Sequence, residues 1–214
     1  MMPKAKVVLI PWDPDSGAHR KALVKQREEC SWHQERVEKE WREAQAKGEK
    51  CIYWIKNPLL RDTAQSINAI PRKPSHKAFV PVGHISLDAQ NPEAKHIDLK
   101  SALTGAFWIK SFYVSRAIQS QGVGRAAMDE VEKMATRAPL NGQTLILDTI
   151  QRDDALREEF AIATTGSIPK VPNQDWYARR GYHVIQTVQN YYKITDRNGR
   201  FWDTKTVFMR KDIS

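Results

Sequence analysis

Only two cysteines, Cys30 and Cys51, occur in the 214 residues, and they do not form a Cys-x-x-Cys pair. Two thiols at this spacing cannot build a structural zinc site by themselves, and they read as reduced residues of a cytosolic or nuclear protein. The histidines are scattered, with no His-x-x-x-His or Cys/His cluster, so no metal is expected. No stretch approaches the roughly eighteen apolar residues of a spanning helix, so a membrane-spanning helix is excluded. Between Met1 and Trp12 no apolar core of signal-peptide length precedes Pro11 and Asp13, which points to the cytoplasm, with the nucleus also open. Internal repeats and low-complexity tracts are lacking too.

What remains is an ordered globule: 41% apolar, 28% charged, with 10 Gly, 11 Pro and a generous 7 Trp. The length suits one domain over residues 1–214, large enough to fold without disulfides or metal. Thirty-four Lys and Arg against 25 Asp and Glu give +9 and a pI near 9.6. That charge suits an anionic partner, whether nucleic acid, a phosphorylated cofactor or an acidic protein, and does not choose among them. The basic residues are interspersed with acids and no RNA-recognition or zinc-finger motif is present, which disfavours nucleic acid.

Along the chain, Lys6 to Ile10 reads as a first strand stopped by Pro11, and Asp13 to Gly17 as a turn. From His19 to Gly48 the sequence is helical and charged, with Val37, Trp41 and Ala44 on one apolar stripe and a solvated opposite face. Cys51 to Ile55 is a strand ending before Asn57-Pro58, followed by a polar loop over 59–77. Phe79 to Leu87 is a strand whose Gly83 suggests a bulge or close backbone approach. After a polar connection over 88–105 come a strong strand, Ala106 to Val114, and a helix with Val123, Ala127, Met128, Val131, Met134 and Ala135 on one stripe. Thr144 to Ile150 reads as a strand buried on both faces. Residues 151–172 form an over-long charged connection. A short helix capped by Asn173 ends at Gly181, and strands His183 to Ile194 and Thr204 to Met209 close the chain. The order defines an α/β fold with a mixed central sheet flanked by helices.

The chemistry concentrates in Gln119-Ser120-Gln121-Gly122-Val123-Gly124-Arg125, between a strong strand and an amphipathic helix. Glycines at a helix N-terminus let a ligand approach the backbone, and the unpaired N–H groups with the helix dipole favour phosphate. Ser120 and Arg125 add a hydroxyl and a positive charge. A plain strand-to-helix packing turn is the alternative. A P-loop fails, because Arg125-Ala126 follows Gly124 where Lys-Ser/Thr is required. The dinucleotide fingerprint is met by Gly122, Gly124 and Ala127 with Asp148 further on, but Ser115 to Gln121 separate it from the strand and too little chain follows.

The run from Phe112 to Arg125 resembles the acetyl-CoA signature of the GNAT N-acetyltransferase superfamily, with Gln119, Gly122 and Gly124 at matching positions. Trp176-Tyr177-Ala178-Arg179-Arg180-Gly181-Tyr182 resembles that family's aromatic-Tyr segment. The likeness is best over residues 78–212, with 151–172 as an insertion, and residues 1–60 follow it by element order alone. It implies acetyl transfer from acetyl-CoA to a primary amine of a small molecule or protein by direct attack, without a metal, in a monomer or homodimer. It implies that Phe112, Tyr113 and Val114 line the pantetheine arm, with Val114 pairing through its backbone. Gln119, Ser120, Gln121, Gly122, Val123, Gly124 and Arg125 would hold the pyrophosphate. Tyr177 would reprotonate the CoA thiolate, or else serve as a core aromatic. The family's Asn lies seven residues before the Tyr, where Lys170 stands; Asn173 is the nearest substitute as a CoA contact, or is simply a helix cap. The family's glutamate base is replaced by Trp108, leaving His84, Asp88, Asp148 or a water relay. His84 has the most suitable intrinsic pKa, and a hydrogen-bonded strand histidine is its bland alternative. Without a base, a catalytically silent acyl-CoA-binding or protein-interaction module on the same fold is the rival reading.

Overall fold

The computed structural model describes residues 7–30, 32–67, 69–97, 99 and 105–213. Lys6 at the expected start of the first strand, Ser31 within the expected first helix, and Asn68, Asp98 and residues 100–104 in the expected connections lie outside this set. The chain divides into two compact units, one of residues 1–95 and 105–143, the other of residues 96–104 and 144–214.

The first unit is built on four antiparallel strands in the order β1 (Leu9–Pro11), β2 (Ile52–Arg61), β5 (Ala78–Asp88) and β6 (Ala106–Val114). Between β1 and β2 run α1 (Gly17–Cys30), a 3₁₀ turn (Gln34–Arg36), a π-helical turn (Val37–Trp41) and α2 (Arg42–Ala46). Trp12, Leu23, Val37, Trp41, Ile52, Trp54 and Phe79 form the core of these elements. The apolar stripe is real at Val37 and Trp41, but the π turn adds a residue to the helical repeat, so Gln45 rather than Ala44 is buried next. Gln45 then serves as a bracket: its amide donates to Trp12 O at 3.0 Å and its oxygen accepts from Ile52 N at 3.0 Å.

Strand β2 outruns its expected end at Asn57-Pro58. The register with β5 slips between Asn57↔Val80 and Leu60↔Phe79, so Pro58, which has no N–H to donate, falls in an irregularity instead of ending the strand. The polar loop beyond it contains a two-residue hairpin of β3 (Ser66–Ile67) and β4 (Ile70–Pro71). Arg72 fixes this loop through a bidentate pair with buried Asp62 at 2.6 and 2.8 Å, and Ser75 adds N–H and O–H donors at 2.9 and 2.8 Å. Gly83 is a close approach, as expected: a Cβ there would lie 2.2 Å from Tyr113 O. Helix α3 (Val123–Ala135) buries Ala127, Met128, Val131 and Ala135 and packs on β1, β5 and β6.

The second unit carries three antiparallel strands in the order β7 (Thr144–Ile150), β11 (Lys205–Asp212) and β8 (His183–Gln189). The expected long strand to Ile194 stops at Gln189 because Asn190 turns the chain with φ 51°. Ile194–Thr195 (β9) and Phe201–Trp202 (β10) then form a separate hairpin. The connection over 151–172 is α4 (Arg152–Leu156) and α5 (Glu158–Thr165), and Phe160 of α5 packs with Ile194 and Trp202. Helix α6 (Asn173–Ala178) follows, with Pro172 at its N-cap; Asn173 is the first helical residue and makes no capping bond. That corrects the expected cap. Proline is well placed just outside the first turn, where a missing N–H costs nothing.

Candidate functional site

Strand β6 reaches its end through a bulge. His84 pairs with Tyr113 and Ser86 with Lys110, so Ile85 alone opposes Ser111 and Phe112, and Ser111 takes φ 52°. A positive φ at a serine is uncommon and re-aims the strand just before the residues of interest. Val114 pairs with Gly83, and the next amide, Ser115 N, donates to Val82 O at 2.8 Å. A single 3₁₀ turn over Arg116–Ile118 then leads to the glycine loop. Gln119 folds back so that its Nε2 donates to Val114 O at 2.9 Å.

Residues Gln119 to Gly122 and Arg125 are exposed, while Val123 and Gly124 are half-buried. Ser120 (φ 65°) and Gly122 (φ 82°) are both left-handed, and Gly122 caps α3 without any side chain satisfying the first amides. Alternating hand at such a turn makes a concavity of N–H groups, to which the helix dipole adds positive potential. Gly124 is different: a Cβ there would sit 3.6 Å from the Phe112 ring and 3.9 Å from Val114 Cγ2, ordinary contact distances. The protein's own packing therefore does not demand glycine at 124.

His84 lies inside the first unit, fully buried, not at a surface where an amine could reach it. Gln26 donates its amide N–H to Pro81 O at 2.8 Å, which turns its oxygen toward His84 Nδ1 at 2.7 Å. Nδ1 must then carry the proton, and Nε2 accepts from Arg27 Nη1 at 3.3 Å. Burial first, then the charges of Arg27 and Lys50, hold the imidazole well below its ordinary pKa. Both nitrogens are thus engaged, and His84 is a structural histidine in this arrangement. Asp88 is likewise committed: its Oδ2 accepts from Lys50 Nζ at 2.8 Å and its Oδ1 from Cys51 N at 3.3 Å. Tyr113 packs its ring on His84 at 5.6 Å and donates its hydroxyl to Glu29 at 2.6 Å, so its side chain turns inward, and burial and Glu29 raise that phenol to about 12.

In the second unit Tyr177 sits on α6 between Trp176 and Tyr182, with ring centroids at 5.0 and 5.9 Å. It is buried, and its hydroxyl has no hydrogen-bond partner among the described residues. Burial, helped by the Asp148 charge, pushes the phenol well above its ordinary pKa, so it keeps its proton at neutral pH. Asp148, on β7, accepts from Tyr192 Oη at 2.5 Å. Arg152 clamps α4 to α6, its N–H on Gln174 Oε1 at 2.6 Å and its Nε on Asp175 at 3.1 Å. Asn173 is exposed at the start of α6. Sequence reasoning missed Tyr192, Arg27 and Gln26; the Tyr191-Tyr192 pair after a strand was a signal for the first, whereas nothing in the letters separates Arg27 from its charged neighbours.

A strand that ends in an exposed left-handed turn and opens an uncapped amphipathic helix is the build of a loop that cradles a phosphorylated ligand. Residues 25–160, well over half of the chain, match the model of the Acetyltransferase (GNAT) family, and the chain belongs to that family. The match begins within α1, taking in its last six residues, 25–30, and ends before the Tyr177 segment. Curated protein sequences give no match. Among solved structures, an aminoglycoside 6'-N-acetyltransferase complexed with coenzyme A is similar at 15% identity and TM-score 0.55, with 97% of each chain covered. Arabidopsis thaliana NAA60 in complex with a bisubstrate analogue gives 13% and 0.55, covering 97% of this chain and 100% of that one. The spermidine/spermine N-acetyltransferase SpeG of Vibrio cholerae gives 10% and 0.56, covering 98% and 94%. At these identities the likeness is one of fold. Among the described residues no helix is long and apolar enough to cross a membrane.

Proposed function

We propose that this protein is an N-acetyltransferase that moves the acetyl group of acetyl-CoA to a primary amine of a small molecule or protein, with no metal. The observation that carries the reading is the exposed Gln119–Arg125 loop, with Gly122 left-handed at the uncapped start of α3. The family match supports it, as do structural relatives named for coenzyme A, aminoglycosides and spermidine.

Acetyl-CoA supplies the thioester: a C–N bond forms at its carbonyl carbon as the C–S bond breaks. The loop amides and Arg125 hold the pyrophosphate. Phe112, Tyr113 and Val114 border the pantetheine arm, the last through its backbone once the exposed Gln119 side chain releases Val114 O. Tyr177, which keeps its phenolic proton at neutral pH, passes that proton to the departing thiolate; burial makes it a weaker acid than an ordinary phenol, so the transfer is completed as the thiolate leaves. Asp148, tied to Tyr192, is the better candidate to receive the amine's proton, directly or through water, because His84 has no nitrogen to spare. Asn173, exposed beside this segment, is a further CoA contact. No covalent enzyme intermediate is required.

A panel of small amines and peptides, assayed for CoA thiol release and acetylated product, tests this. Turnover with at least one class is expected. Acetyl-CoA binding without turnover in any class, and no effect of Tyr177→Phe, would instead identify a silent binding module.

A further inference from the structure

Two cations lie over the ring of Trp41 inside the first unit: Lys50 Nζ at 4.7 Å and the Arg27 guanidinium carbon at 5.2 Å from its centroid. Both side chains are buried. Lys50 is fully matched, with Asp88 at 2.8 Å, Ser86 at 3.1 Å and Ser111 at 3.3 Å using its three N–H donors. Arg27 is not. Only 4% of it is exposed. Its Nε donates to the Trp32 carbonyl at 2.7 Å and its Nη1 to His84 Nε2 at 3.3 Å, both neutral acceptors. No carboxylate of a described residue lies within 4.0 Å of it, and Nη2 has no acceptor among them.

Of the neighbouring acids, Glu29 accepts from Tyr113 and Glu93 pairs with Arg36 and with Lys110, while the charge of Glu35 acts on Arg27 only from beyond ion-pair distance. The interior around Trp41 therefore holds two positive charges and one buried carboxylate. Burying a guanidinium with no carboxylate in contact is costly. A fold spends that stability where an anion arrives from outside. His84, held neutral and locked by Gln26, is arranged to keep Arg27 in place without cancelling its charge. The cluster also adjoins the proposed pantetheine-binding residues of β6: His84 is the cross-strand partner of Tyr113, and Gly83 that of Val114.

We propose that Arg27 anchors a carboxylate carried by the acceptor, so that the acceptor is an amine that also bears an acidic group, as free amino acids do. For the amine's fate this rests on the acetyl-transfer reading; the binding of the acid does not. The Nη2 donors, which no described residue accepts, supply the recognition, because paired N–H donors match a carboxylate, whereas an amide offers one weaker acceptor.

The test uses the free amino acids and their primary amides as matched probes, read both by thermal unfolding and by CoA release with acetyl-CoA present. At least one acid is expected to raise the unfolding temperature and to be acetylated with kcat/KM about a hundredfold above its amide, the scale on which sites built for a polar group reject analogues lacking it. Arg27→Met should bring the two within about threefold while leaving the acetyl-CoA-induced shift intact. Should Arg27→Met not fold, Arg27→Lys, which keeps charge but loses the fork, is expected to weaken the acid about tenfold. Equal response to acids and amides in the wild type, no response to any acid, or an undiminished preference in either variant overturns the proposal. A shift by inorganic phosphate that the variants abolish, with none by the acids, overturns the carboxylate in favour of a phosphorylated acceptor. Loss of the acetyl-CoA shift in the wild type would instead count against the transfer reading.

Discussion

His84 Nε2 accepts its hydrogen bond from Arg27 Nη1 at 3.3 Å, and through that bond the most obvious candidate base is a positioning residue. A buried neutral imidazole has a consequence for stability. His84 and His19 both have pKa values lowered by burial from 6.5. His19 Nδ1 accepts from Asp13 N at 2.9 Å and Trp54 Nε1 at 3.1 Å, contacts that protonation would destroy. Because the folded values lie below the unfolded one, the unfolded chain binds more protons as the pH drops. The stability is complete above the unfolded value of 6.5 and is lost as pH falls through the folded values. Unfolding temperatures should therefore fall between pH about 7.5 and 5.5. A flat profile over that window would mean these histidines are not neutral in the fold.

Gly124→Asp separates the ligand reading of the loop from the packing reading. An acid in the first turn of α3 suits the helix dipole, and the site has room for a Cβ, so stability should stay within about 0.5 kcal/mol. The same charge repels a pyrophosphate, and CoA affinity should fall tenfold or more, roughly the 1.4 kcal/mol of one added repulsion. Calorimetric titration with CoA together with thermal unfolding reads both quantities. Equal CoA affinity in the variant would make the loop a packing turn.

Tyr177→Phe removes a hydroxyl that bonds to no described residue while keeping the ring contacts with Trp176 and Tyr182. Unfolding stability should change by less than about 1 kcal/mol, whereas kcat should drop about a hundredfold or more if the phenol is the general acid. A variant with full kcat would return Tyr177 to the role of a core aromatic.

Asp88→Asn tests the Lys50 pair. The ammonium would remain buried beside Arg27 with only hydroxyls and an amide, which should destabilise the protein by about 3 kcal/mol. Adding Lys50→Met to that variant should recover part of the loss, since removing both charges removes the unpaired one. Chemical denaturation of the single and double variants measures this, and an additive loss would contradict the coupling.

The elements nearest the loop were legible because several local signals agree there. Strand β6, helix α3 and strand β7 carry largely apolar runs or a full 3.6-residue stripe, bounded by Gly122, Pro139 and Gly142. What was hidden arises from pairing partners far along the chain. The bulge at Ser111 has no turn residue to announce it, and the irregularity that admits Pro58 into β2 exists only against β5. The π turn at Val37–Trp41 shifts the buried face from Ala44 to Gln45, which no straight helical period can show. Arg27 reads in sequence as one more charge on a solvated helix; only the long-range neighbours Trp41 and His84 reveal it as interior. The candidate CoA loop, by contrast, is contiguous, and so its glycines and its uncapped helix could be read directly.

Thermal unfolding of the wild type with acetyl-CoA, CoA, NADH or no ligand tests the central claim most directly. At about 100 times its Kd, a CoA species should add roughly 2.7 kcal/mol, several degrees at this chain length, while NADH adds nothing. No shift with either CoA species would contradict the assignment of Gln119–Arg125 as the cofactor loop, and with it the acetyltransferase reading of this chain.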